Sequence, residues 1–353
     1  YTTLFRSSIE DFLDEIAREL DYPYICQKTS PSDKPREVYR LLQSHRVLLV
    51  VDNFETIQDA NIGQYLENIP EPSKAIITTR IITGIKNPWR VTLEGLNKKD
   101  AIKLIRNRAK GHDIQSINKA QDRDIYSLVS ITGGNPLALE TSLGYMKNAG
   151  IALNSLVGTL SQGKAEIFDE IFSISWLNLT PSARKLLMSV SFFIDSASKP
   201  ALKFINGFDT LVFDQSMSQL LNMSLIYIND AIDETNQRFS LHPLTISFLI
   251  NKVADNQLWE KKSRIKWAKW YISFALNNRG ADWLEGYIEK QKKLDNDWKN
   301  ILAAFEYCRK NKLYYDLICE FWLDDNVSEF IKTYGYWDDM VFWLKWLMHV
   351  AEE

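Results

Sequence analysis

VLLVVDNFE, residues 47–55, is the stretch on which the reading of this chain turns. Its five consecutive apolar β-formers, Val47 to Val51, read as a strand buried on both faces, the pattern of a parallel sheet. The strand ends in Asp52, and open α/β sheets bind ligands just outside the carboxyl ends of their strands. Further on, AIITTR at residues 75–80 reads as a second strand. It brings Thr78, Thr79 and Arg80 to the same rim, where hydroxyls and a guanidinium suit a phosphate. A helical run over residues 60–69 completes a βαβ unit of ordinary length.

Upstream, residues 8–20 form an amphipathic helix, with Ile9, Phe12, Leu13, Ile16, Ala17 and Leu20 at helical spacing and Ser7 or Ser8 as N-cap. Residues 1–5, YTTLF, read as the tail of a strand. A hydrophobic strand delivering an acid is how P-loop NTPases place the carboxylate that holds Mg²⁺ through water. Their phosphate cradle, GxxxxGK[ST], comes before that strand, yet residues 1–46 contain no Gly. The chain is therefore expected to start just after the first strand, loop and helix of a nucleotide-binding domain. GTLSQGK at residues 158–164 matches GxxxxGK as a decoy. Ala165 stands where the Mg²⁺-binding hydroxyl belongs, no buried strand leads into the match, and it lies downstream of the acid strand. A polar loop between domains is expected there.

Composition narrows the classes. A chain of 353 residues suggests roughly two to four domains. The net charge of −3 argues against a general affinity for nucleic acid while leaving room for local patches. Cys26, Cys308 and Cys319 show neither metal-ligand nor disulfide spacing, which fits a reducing compartment. Without a signal peptide or an apolar run long enough to span a bilayer, a cytoplasmic location with no membrane contact is expected. Four widely separated His speak against a His-based metal site or catalytic triad. Eleven Trp and fifteen Tyr, weighted to the C-terminal third, read as core and inter-helix packing.

Past the βαβ unit, WRVTLEGL at residues 89–96 reads as a last short strand, and residues 97–109 as a helix with Asn97 as N-cap and Asp100 in its first turn. A helix over 125–131 breaks at Gly133-Gly134-Asn135-Pro136 and resumes over 137–145, Pro being well tolerated in a first turn. On its own this is a helix–turn–helix corner. Residues 172–179 lead into Thr180-Pro181, a cap followed by Pro, and then a helix over 182–193 with apolar Ala183, Leu186, Leu187, Val190 and Phe193. Residues 217–225 give another helix. Residues 225–228 and 238–241 flank a polar turn as a β-hairpin does, ending at Leu241-His242-Pro243-Leu244. From about Ala254 the chain reads as entirely helical, with runs over 258–277, 294–309, 313–321 and 334–350.

VLLVVDNFE, AIITTR, VTLEGLNKKDAIKL and ITGGNPLALE, in this order and spacing, resemble the NB-ARC branch of the STAND NTPases. That family includes plant disease-resistance receptors, the apoptosome activators of animals, and many bacterial regulators and defence proteins. The resemblance implies an α/β plus mostly α chain: a partial parallel-sheet P-loop NTPase core over residues 1–92, a helical domain over 93–158, a winged-helix domain over 159–253, and an α-helical, tetratricopeptide-like sensor from 254 to 353. It implies Asp52 as the Mg²⁺ and catalytic carboxylate, and Glu55 as a second acid that orients water, although plant relatives carry a different residue there. Thr79 and Arg80 would meet the terminal phosphate, Arg80 as its sensor, and Pro136 would pack against adenine. His242 would contact the β-phosphate of ADP, with Pro243 replacing the Asp of the family motif as in many bacterial relatives.

A winged helix can also bind DNA, but the candidate recognition helix, residues 214–222, holds neither Arg nor Lys. Direct nucleic-acid binding is not expected, of this domain or of the chain. In the C-terminal helices, Asn300, Ala303 and Ala304 match the opening "N-x-x-A-x" helix of tetratricopeptide-type sensors, a plain helical bundle being the alternative. Repeats need neighbours to bury their faces, so the natural protein is expected to continue past Glu353.

The implied activity is a nucleotide-controlled switch using ATP/ADP and Mg²⁺. ADP holds the resting form; a protein or other ligand on the sensor triggers exchange for ATP; the opened form homo-oligomerises and activates an effector outside this chain, in bacterial antiviral defence. Hydrolysis would be slow at most, and this chain alone inactive. Two alternatives stand beside it. One is a transcriptional regulator with its DNA-binding domain outside the chain. The other is a nucleotide-free helical scaffold, against which the joint presence of Asp52, Arg80, Pro136 and His242 argues.

Overall fold

The computed structural model describes residues 8–27, 33–57, 59–79, 85–86, 88–162, 167–229, 237–280 and 286–352. Two compact units emerge: Tyr1–Val91 with Phe274–Trp298 and Cys308–Glu353, and Thr92–Ser273 with Lys299–Tyr307.

The first unit opens with α1 (Ile9–Glu19). Ser8 caps it in a reciprocal box: the Ser8 side chain accepts from the Asp11 N–H, and the Asp11 carboxylate accepts from the Ser8 N–H at 2.9 Å. A turn at Pro23–Gln27 leads to α2 (Asp33–Ser44), β1 (Leu48–Val51), α3 (Ala60–Glu67) and β2 (Lys74–Ile77). The two strands pair in parallel, Leu48 opposite Lys74 and Val51 opposite Ile77. Phe12, Leu13 and Ile16 from α1, Val38 and Leu42 from α2, and Ile62 from α3 pack with Val51, and Leu49, Ala75 and Ile77 lean on the same core. Among the described residues only that face is covered. Leu48 is 58% and Ile76 52% exposed, so the expectation of a strand buried on both faces is corrected. Side chains alternate across a strand, and among the described residues the packed helices lie on the odd-numbered side alone.

The second unit begins with irregular chain. Residues 89–96, read as a strand, form none: Trp89, Val91 and Leu93 are 94%, 67% and 88% exposed. A strand needs a ladder partner, and the hydrogen bond described for this stretch runs instead from Leu96 N–H to the Gly134 carbonyl at 2.8 Å. Then come α4 (Lys98–His112), α5 (Gln115–Asn118), α6 (Asp122–Ile131), α7 (Pro136–Ala149), α8 (Leu153–Gln162) and α9 (Ile167–Asn178). Ile105, Ile125, Leu128, Leu139, Leu143 and Leu156 form their shared core. The GTLSQ of the decoy motif lies in α8, not in a loop, because its Leu160 belongs to the helix's buried stripe; residues 163–166 lie outside the described residues.

There follow α10 (Pro181–Val190), β3 (Ala197–Ser198), α11 (Lys199–Asn206), α12 (Thr210–Asn222), β4 (Tyr227–Asn229), β5 (Arg238–Ser240), α13 (Pro243–Ala254) and α14 (Gln257–Asn278). The strands form an antiparallel sheet in the order β3-β5-β4. The hairpin expected around residues 225–241 is present, while α11 and β3 were not read from the sequence. The helix expected over 182–193 stops at Val190, and the following turn is tied down by Asn300. The Asn300 side chain accepts from Ile194 N–H at 2.7 Å and donates to the Ser196 carbonyl at 3.3 Å. Asn300 thus serves as a buried anchor.

The first unit also contains α15 (Tyr287–Asn311), apart from its middle turns, and α16 (Tyr315–Trp322), α17 (Asp325–Tyr334) and α18 (Trp337–Glu352). The run read as one helix from residue 334 is broken at Gly335, whose φ is +80°. Trp298 stacks on Tyr336 with ring centroids 4.8 Å apart and lies 5.1 Å from Phe330. These helices close on α1 and α2 through charge. The Lys34 ammonium, 2% exposed, lies 2.8 Å from Asp14 and 3.6 Å from both Glu10 and Asp338. Burial pushes the Asp14 carboxyl upward against the pull of Lys34. Arg18 donates to the Gly335 carbonyl at 3.2 Å and lies over the Tyr336 ring. No helix among the described residues is long and apolar enough to cross a membrane.

Candidate functional site

In the first unit, β1 and β2 end side by side, and the hydroxyl of Thr78 joins them. It donates to one oxygen of Asp52 and accepts from the Asn53 N–H at 3.0 Å. The Asn53 side-chain amide donates to the other Asp52 oxygen at 3.2 Å. Two backbone bonds, Thr78 N–H to Val51 and Phe54 N–H to Thr78, both 2.9 Å, fix the crossing. Asn53 takes a left-handed conformation (φ +52°), which Asn tolerates better than most residues and which turns the chain off the strand into the short helical turn Phe54–Thr56. Asp52 is thereby held by two side-chain donors at a strand's carboxyl end.

Thr78 was expected to face a phosphate; its hydroxyl is committed to Asp52 and Asn53, because the parallel register sets it beside the acid. Thr79 follows on the exposed rim and Glu55 sits half-buried in the helical turn. Arg80 lies outside the described residues. Asp52, Glu55 and Thr79 thus share one sheet end, while Pro136 and His242 belong to the second unit.

Pro136 is the exposed first residue of α7. Asn135 caps that helix, accepting from Leu137 N–H at 3.0 Å and Ala138 N–H at 3.3 Å. The turn before it needs glycine. Gly133 and Gly134 have φ of +60° and +69°, and a Cβ on Gly134 or Gly95 would overlap the backbone of the other segment. Sequence reading found the corner but not Gly95, whose role arises from a close approach that no local spacing reveals. His242 is the N-cap of α13: its Nδ1 accepts from Leu244 N–H at 3.1 Å. A neutral imidazole accepting at Nδ1 carries its proton on Nε2, which is then the donor nitrogen of the ring.

Among the described residues no group of three or more His, Cys, Asp or Glu surrounds a metal position. Mg²⁺ does not need one: it keeps several waters and is bound through one or two carboxylates plus substrate phosphates. An oriented Asp52 fits that demand, and the exposed Pro136 ring fits a flat base. No phosphate cradle occurs among the described residues.

No family model matches the chain. It is 23% identical over 345 residues to the transcription activator GutR of Bacillus subtilis (strain 168), an alignment covering 86% of this chain and 40% of GutR. Its fold is similar to that of a Signal Transduction ATPase with Numerous Domains (STAND) protein with a tetratricopeptide repeat sensor from Pyrococcus horikoshii. The TM-score is 0.55 at 18% identity, covering 98% of this chain and 51% of that one. The chain therefore spans about half or less of the length of each of these two proteins. The mostly helical build with a small parallel sheet is thus a STAND-like fold.

Proposed function

We propose that this chain is the central part of a STAND-type regulator, a switch set by ADP or ATP. The observation that carries the reading is Asp52, held at the end of a parallel strand by the Thr78 hydroxyl of the neighbouring strand, in a chain of STAND-like fold. In this reading Asp52 would hold Mg²⁺, which would supply positive charge against the phosphates. Glu55 positions a water, and Thr79 and Arg80 meet the outer phosphate. The exposed face of Pro136 packs on the base, while α10–α12 with the β3-β5-β4 sheet serve as the winged-helix element. His242, already fixed by capping α13, would contact the β-phosphate of ADP and so favour the resting state. Helices α14–α18 begin a tetratricopeptide-like sensor on which a ligand acts, and the active form assembles with its own copies.

The match to GutR favours a transcriptional regulator over a defence protein. In that form the sequence-reading DNA module lies outside this chain, since α12 carries no Lys or Arg. The direct test is ADP and ATP binding by the full-length protein and its Asp52→Asn variant. Loss of Mg²⁺-dependent ATP binding in the variant, with ADP binding largely kept, is expected. Equal ATP affinity in both proteins overturns the assignment of Asp52.

A further inference from the structure

The nucleotide reading makes no use of the outer face of α14. Lys261, Lys262, Lys266 and Lys269 all lie exposed on it, and among the described residues none of the four makes a hydrogen bond or ion pair. The acid within residues 257–273, Glu260, is engaged by Arg264 at 2.8 Å. On the opposite face Trp267, Ala268, Tyr271 and Ile272 are buried, with Trp267 and Tyr271 in edge contact with Phe193, so the helix is a rigid base for the lysines. Helix α11 abuts it: Phe204 meets Trp270 at 5.4 Å between ring centroids, and the Lys266 ammonium lies beside Gly207 at the α11 C-terminus.

We infer that this face binds the phosphate backbone of duplex DNA without reading its sequence. Lys261 to Lys269 span about 12 Å along the helix axis. Duplex DNA presents a phosphate charge about every 3.4 Å of axis on each strand. Four ammoniums carried on one anchored helix can therefore reach roughly three or four phosphates at once. Protein partners fit this face less well, because lysine is depleted from protein–protein interfaces, whose cores rely on aromatic and Arg anchors. The face offers no Arg fork for a base edge, so it adds affinity and not specificity. In a regulator whose reading module lies elsewhere, it would steady the body of the protein on DNA. The inference takes this biological setting from the regulator reading, but the binding itself requires no nucleotide.

The test is fluorescence anisotropy of the 353-residue chain with a 20-bp duplex of arbitrary sequence, without nucleotide, at several salt concentrations. Micromolar binding at 50 mM salt is expected, weakening about a hundredfold by 200 mM for three to four phosphates. Replacing Lys261, Lys262, Lys266 and Lys269 by Gln should abolish it. Replacing the exposed Lys99, Lys103, Lys110 and Lys119 by Gln, the same change in net charge elsewhere on this unit, should leave it within about twofold of wild type, near the scatter expected of a distant surface change. No binding, or equal loss in both variants, overturns the inference. So does equal competition by polyglutamate at the same charge concentration, which would make the face a site for acidic protein. None of these results depends on Asp52 or His242, so failure here is distinct from failure of the switch reading.

Discussion

At the scale of single residues, the proposed chemistry rests on side chains whose structural work is already visible. Thr78 orients Asp52, and replacing it by Val keeps the shape while removing the hydroxyl. Thr78→Val should cost about 1 kcal/mol of stability, the net worth of an ordinary hydrogen bond. In the full-length protein it should also weaken Mg²⁺-ATP several-fold with little effect on ADP alone. Urea denaturation and calorimetry check the two parts. His242 carries two roles that substitution can separate. His242→Ala should cost about 1 kcal/mol through loss of the α13 cap, whereas His242→Ser, a strong N-cap, should restore most of it. Asp52 was legible in the sequence because it ends an apolar run. The role of Thr78 was not, because the bond joining residues 26 apart depends on strand register. His242 was read as a nucleotide contact, and its cap appears only once the start of α13 is seen.

At the scale of elements, glycines show where backbone geometry is fixed. Gly134→Ala should lower stability by several kcal/mol or prevent folding, since it meets both a positive φ and the Leu96 carbonyl. Gly158→Ala, in α8 with open space around it, should stabilise by up to about 1 kcal/mol. Thermal melts of the two variants should therefore move in opposite directions. The same α8 defeats the GxxxxGK reading, for a helix interior cannot form a loop of converging N–H groups. Caps were the most readable signals: Ser8, Asn97 and Thr180 stand where the sequence puts them. Residues 89–96 have strand-like composition but no ladder partner, so propensity misled.

The joint between α15 and α18 adds a pH dependence. Burial pushes the Asp339 carboxyl up to about 6, opposed by the Trp298 indole N–H that donates to it at 2.8 Å. A carboxyl raised on folding contributes stability that is fully present below its unfolded value near 4 and is lost as pH rises through 6. The urea midpoint should thus fall between pH 4 and pH 7. Asp339→Asn, whose amide oxygen still accepts from the indole, should flatten that slope and stabilise the protein at pH 8 by on the order of 1–3 kcal/mol. An unchanged slope would show that Asp339 is not the titrating group.

At the scale of the whole molecule, the order of strand, helix and corner motifs made a STAND-like fold readable from the residues alone, and the similarity to the P. horikoshii protein agrees at the level of fold. Less readable was that C-terminal helices share a compact unit with the N-terminal α/β segment. Lys34 and Asp338 lie far apart in sequence, and neither stands in a recognisable motif. The 353-residue chain, with no phosphate cradle among its described residues, should bind Mg²⁺-ATP weakly, because cradle N–H groups and a Lys supply most phosphate affinity. Submicromolar binding in calorimetry would show that other residues supply that cradle.

The central claim is that nucleotide state sets the switch through His242, and ADP titration of the full-length wild-type and His242→Ser proteins tests it most directly. With the α13 cap retained, the variant loses the imidazole ring and with it the Nε2–H donor. A hydrogen bond to a charged partner contributes about 1.5–3 kcal/mol, so ADP affinity should fall roughly 10- to 150-fold. ATP affinity should change less, and the variant should oligomerise without ligand. Equal ADP affinity in the two proteins, with both remaining monomeric, would contradict the account and leave His242 as the cap of a helix.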